Sequence, residues 1–115
     1  MRNLVERKER YMRDPLPIRL GGLAANLARV RSFSRNEANH EAVFDLLEES
    51  KYFIEWTATA AEMETTLDLI ELQLQIAVWQ KHWQRNWDDE NIRDKVAEAS
   101  ANWSRNLLER SGLLG

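Results

Sequence analysis

The chain has 115 residues, 43% of them hydrophobic and 30% charged, with a net charge of −3 and no cysteine. That length suffices for one domain with its own core, and the composition is that of a globular protein, not a disordered tail. The missing cysteines exclude disulfide frameworks, thiolate metal sites and cysteine nucleophiles together, and suit a reducing compartment.

The charge is unevenly spread. Residues 1–35 carry nine basic and three acidic side chains, residues 36–75 one basic and ten acidic, and residues 76–115 six of each. Opposite blocks of this kind either attract a partner or face each other inside a bundle. The opening MRNLVERKERYMRD has no apolar core, so it reads as neither signal peptide nor anchor. No apolar run approaches the roughly 18 residues of a membrane-spanning helix. A soluble cytoplasmic protein with no membrane contact is expected.

In chain order, residues 1–14 form an N-terminal helical arm presenting Leu4, Val5, Lys8, Tyr11 and Met12, which Asp14, Pro15 and Pro17 interrupt. A first long helix is predicted over 18–34, with Leu20, Leu23, Ala24, Leu27 and Val30 on one face. Gly21, Gly22, Ala24, Ala25 and Ala28 make it slim, so another backbone can approach. Ser34 with Glu37 has the spacing of a capping box, predicting the start of a second helix. That helix places Val43, Leu47, Ser50, Ile54, Ala58 and Ala61 on one face, and Tyr52 and Trp56 on an acidic outer face.

Neither glycine nor proline separates the second helix from the third. Thr57–Ala60, with β-branched threonines and a second capping-box pair in Thr59 and Glu62, is the expected break. The third helix is predicted to run to about Trp87, after which Asp88 or Asp89 caps a fourth. The fourth helix carries Ile92, Val96, Ala99, Trp103 and Leu107 on one stripe, and Gly112 supplies a left-handed stop. No strand alternation occurs anywhere. The expected fold is all-α: a four-helix up-down bundle over 18–111 with the arm at 1–14, one helical domain spanning 1–115.

The third helix has two apolar sides. At about 100° per residue, Leu69, Leu72, Ile76, Trp79, Trp83 and Trp87 form one stripe, while Leu67, Ile70, Leu74, Ala77 and Val78 gather nearly opposite. Such a helix needs cover on both sides, from its own bundle or from another chain. Each tryptophan buries about 150–250 Å², so three in a row exceed the roughly 300–600 Å² of the largest patch a monomer usually exposes. The indoles are therefore core, an interface, or the wall of a small-molecule or pigment slot.

Catalytic patterns are weak. Glu37 and His40 have the Glu-x-x-His spacing of a di-iron bundle, but Trp79 stands three residues before His82, so no second pair exists. His82 falls on a polar strip with Gln75 and Asn86. No nucleophile–base pair, phosphate-cradling loop or zinc spacing is present, so no enzyme, no cofactor and no metal site is expected. The basic first third offers an alternative, nucleic-acid binding through Arg19, Arg29, Arg31 and Arg35, although no helix-turn-helix or stacking platform accompanies them.

The segments LPIRLGGLAANLARVRSFS (16–34), LLEESKYFIEWT (46–57) and ELQLQIAVWQKHW (71–83) resemble a small uncharacterised all-helical cyanobacterial protein family. The resemblance implies a cytoplasmic accessory or assembly role in a photosynthetic bacterium, such as a carboxysome assembly adaptor, and carries no functional residue with it. The resulting expectation is a non-enzymatic interaction module, dimeric, that docks a protein or peptide partner. Trp79, Trp83 and Trp87, or Tyr52 and Trp56, are the expected docking residues.

Overall fold

Pro15 and Pro17 open a helix as well as closing one. In the computed structural model, which describes residues 3–114, α1 (Leu4–Met12) is followed by α2 (Leu16–Phe33), with Pro15 as the extended residue before it and Pro17 in its first turn. A proline there loses no hydrogen bond, because the first amides of a helix have no partner inside it. The helix consequently starts two residues before the expected 18.

Ser34 does not open the next helix as its capping-box spacing predicts. Its backbone is still helical, at φ −67° and ψ −11°, and its amide and hydroxyl both donate to the Val30 carbonyl, at 3.0 and 2.6 Å. Asn36 has the extended backbone a cap requires, and its Oδ1 accepts from the Ala38 amide at 2.9 Å. A 3₁₀ turn at Glu37–Asn39 then leads into α3 (His40–Thr57).

The break after α3 falls where the threonines predict it, through a 3₁₀ turn at Ala58–Ala60. Thr59 is not the cap. Glu62 occupies that position without a side-chain bond, and Thr66 Oγ1 donates back to the carbonyl of Ala58 at 2.6 Å.

The third expected helix is divided. α4 (Met63–Gln80) stops short of Trp87, because His82 leaves the helical region at φ −132° and ψ 56°, and α5 (Trp83–Asp88) follows. Asn86 Nδ2 donates to the Trp79 carbonyl at 2.8 Å, supplying a donor to one carbonyl that the interrupted helix leaves open. Asp89 caps α6 (Glu90–Ser111), accepting from the amides of Asn91 and Ile92, and Gly112 at φ 76° ends it. The described residues are helical, with no strand among them.

α2 lies between α3 and α6 and makes its closest approach to α6. The contact is built from small residues. Ser104 Oγ donates to the Ala24 carbonyl at 2.8 Å, and a Cβ built on Gly21 would stand 2.8 Å from Leu113 Cδ1. Ser100 and Ser104 are buried here, so the inner face of α6 runs through two serines, while Trp103 is only half-buried. Leu23, Leu27, Val30, Val43, Leu47, Ile54, Leu69, Leu72, Ile76 and Leu107 form the fully buried centre.

The arm is folded back onto α3. Tyr11 stacks on Phe53 with centroids 4.1 Å apart, donates to the Arg19 carbonyl at 2.9 Å and meets Thr57 Oγ1 at 2.9 Å. Arg7 pairs with Glu49, which also accepts from Asn26 Nδ2 at 3.0 Å. One basic side chain of the first third thus meets the acidic middle third inside the molecule.

Burial pushes the Tyr11 hydroxyl from its ordinary 10.0 up to about 12, against the lowering effect of the Thr57 hydrogen bond. An unfolded chain ionises this phenol first, so its stabilising contribution is complete below pH 10 and declines as the pH rises towards 12. Tyr11→Phe should cost about 1–2 kcal/mol at neutral pH, measured by urea denaturation, and should flatten that alkaline decline. The phenolate absorbance that the substitution removes should develop near pH 12.

Candidate partner-binding surface

The three indoles of the opening stripe take different positions once His82 breaks the helix. Trp83 and Trp87 are buried at 8% and 3% exposure, while Trp79 is half-buried against the same core. Each buried indole spends its N–H on the start of α3: Trp83 Nε1 donates to the His40 carbonyl at 3.3 Å, and Trp87 Nε1 to that of Glu37 at 2.8 Å. The His40 ring lies 6.0 Å from both indoles, and Phe44 lies 5.9 Å from Trp83. Arg93 reaches the same corner, with its guanidinium 5.5 Å from the Trp87 ring and Nη1 donating to the Trp87 carbonyl at 2.7 Å. The buried indoles are therefore covered from within the chain, by the start of α3 and by Arg93 of α6.

Tyr52 and Trp56 stack at 5.7 Å, but only Tyr52 reaches the surface appreciably. Trp56 is covered by Tyr11 and Phe53, 5.8 and 6.1 Å away. Tyr52 borders a groove of about 580 Å³ that also includes Phe33, Leu46, Asp45 and Glu48.

The four arginines of the nucleic-acid alternative do not share a face. Arg19 Nε donates to the Asp14 carbonyl at 2.9 Å, and Arg29 to Asn26 Oδ1 at 3.1 Å. Arg31 and Arg35 line a separate groove with Arg105, opposite Asp94 and Glu98. Among the described residues, no group of three or more His, Cys, Asp or Glu side chains is arranged to hold a metal ion. No helix among them is long and apolar enough to cross a membrane.

The largest departure from ordinary burial is on α4. Its inner side is in the core through Thr65, Leu69, Leu72 and Ile76. Its outer side leaves Met63, Leu67, Ile70, Leu74 and Val78 in water at 79, 59, 45, 65 and 69% exposure. Ala77 is exposed beside them. Five such side chains on one stripe present on the order of 600 Å² of apolar surface, the upper end of what a monomer usually carries. The spacing of Met63, Leu67, Ile70, Leu74 and Ala77 is four, three, four, three, the seam of a helix that packs against another helix.

Most of this face was visible in the sequence as the second apolar side of the third helix. Its importance was masked by the bulk of the tryptophans, which find cover within the chain. The heptad spacing, extended back to Met63, is the signal that singles it out.

Arg110 ties α4 to α6. Its Nη2 donates to Asp68 Oδ2 at 2.8 Å, its Nε to the same oxygen at 3.1 Å, and its Nη1 to Glu64 Oε2 at 3.1 Å. The carboxylates of Glu64 and Asp68 push the guanidinium pKa upward.

Comparisons with protein-family models, with curated proteins and with solved structures give no match for this chain.

The two aromatic-rich and aliphatic faces should respond oppositely to substitution. Trp87→Phe removes buried volume and the bond to Glu37, and should cost about 2–4 kcal/mol in chemical denaturation. Leu74→Ser, on the exposed stripe, should change the stability of the isolated chain by less than about 0.5 kcal/mol.

Proposed function

We propose that this protein is a non-enzymatic interaction module, an up-down bundle of four long helices that offers the outer face of α4 to a helix of another protein chain. The observation that carries the reading is the stripe Met63–Leu67–Ile70–Leu74–Val78, exposed along the whole of α4. Leaving that much aliphatic surface in water is unfavourable at roughly 25 cal/mol per Å², and a docked amphipathic helix removes it at the i, i+3, i+4, i+7 positions by which such helices are read. The reading moves the docking surface from the indole edge, where the side chains are spent on core contacts, to the aliphatic face beside it. Of the expected aromatic set, Tyr52, on its own groove, and Trp79 are half-buried and keep some surface.

An assembly adaptor in a cyanobacterial cytoplasm, the role implied by the sequence resemblance, is the setting this module suits. Such a protein works by bringing other chains together, and a rigid helical face is sufficient for that.

The test is affinity capture from a native extract with the wild-type chain and with Leu74→Glu, which places a charge at the centre of the stripe. The variant should keep its helical circular dichroism and lose the captured proteins. An unchanged set of captured proteins would refute docking through α4.

A further inference from the structure

We infer that the helix received by α4 is α4 of a second copy of this chain, running antiparallel to the first. This rests on the docking reading above and adds the identity and orientation of the occupant.

The stripe is complementary to itself. When Ile70 of each copy meets Leu74 of the other, the heptad spacing also brings Leu67 to Ala77 and Met63 to the aliphatic stem of Lys81. The repeat is thus satisfied along the whole helix, about 27 Å at 1.5 Å per residue, and the same patch serves both partners as a twofold dimer requires.

The beginning of α4 carries Glu62 and Glu64, both exposed, Glu64 being also bridged to Arg110 of its own chain, and its end leads into Lys81, His82 and Arg85, also exposed. An antiparallel mate sets the acidic end of one copy beside the basic end of the other, twice. A parallel mate sets Glu64 beside Glu64 and Lys81 beside Lys81. Like-charge juxtaposition at both ends makes the parallel register the less favourable of the two. Glu71 approaches its own counterpart near the twofold axis in the antiparallel pair, one contact at the solvated rim, where charges contribute little.

About 600 Å² from each copy gives a total of about 1,200 Å², the lower end of the range for specific stable interfaces. The dimer is therefore expected to dissociate on dilution.

Sedimentation equilibrium of the full chain should give twice the chain mass at on the order of 100 μM, falling towards one chain mass on dilution. Leu74→Glu, and the milder Val78→Ser, should weaken association, the former by at least about tenfold, with helix content unchanged because both side chains are exposed in the single chain. The absence of native cysteine allows orientation to be read by disulfide trapping. Met63→Cys mixed with Lys81→Cys should form the mixed dimer, while neither variant should link to itself.

A chain that remains single at the highest concentration overturns the inference, as does rapid self-linking of Met63→Cys, which marks a parallel pair. Neither result touches the capture experiment. Loss of captured proteins by Leu74→Glu from a strictly monomeric chain would leave α4 as a docking face for a different protein.

Discussion

The close approach of α2 to α6 constrains the remainder of the molecule. Ala24 on one helix, and Ser100 and Ser104 on the other, are buried small residues that remove the side-chain bulk that would hold two helices apart. Ser104 adds a bond to the Ala24 carbonyl, so its hydroxyl enters the core with a partner. With α6 on one flank and α3 on the other, α2 buries Leu20, Leu23, Ala24, Leu27 and Val30 inside the chain. α4 is then left to pack chiefly on α3, with only a slight contact to α6. A helix covered from one side cannot bury two apolar faces, and the uncovered face of α4 is a consequence of how tightly α2 and α6 close.

The tryptophans solve a different problem. α5 is six residues long, too short to hold itself by its own hydrogen bonds. Trp83 and Trp87 anchor it by sinking their rings beside His40 and Phe44 and donating to carbonyls at the start of α3. Tryptophan suits this position because it combines large apolar area with a single donor. The break at His82 is what allows it, since it turns Trp83 and Trp87 towards α3 independently of Trp79.

Much of the fold was legible because breakers and caps act locally. The stop at Gly112, the cap at Asp89 and the break after Thr57 follow from residues that control their own backbone. The capping boxes at Ser34 and Thr59 misled for a related reason. A serine or threonine hydroxyl can bond forward to an amide or backward to a carbonyl, and at Ser34 the backbone angle selects the backward bond. The division of the third helix lay beyond sequence spacing, because neither Lys81 nor His82 is a breaker and the turn is held by distant contacts. The stripe expected for the last helix did not include Ser100 or Ser104, which are buried because in a tight helix pair their small size outweighs their polarity. On α4 the sequence showed two apolar sides, but only the placement of α2, α3 and α6 decided which of them water would reach.

Arg110 has an effect on binding that extends past its ion pairs. By bridging Glu64 and Asp68 from α6, it adds a tie at the edge of α4 to the buried Thr65, Leu69, Leu72 and Ile76, which set the direction in which the aliphatic stripe points. A helix free to roll or fray would surrender that freedom on meeting a partner, and the entropy lost would be subtracted from the affinity. Here the loss is incurred when the chain folds. A helix already held by its buried side and by this guanidinium presents its leucine, isoleucine and valine without further ordering.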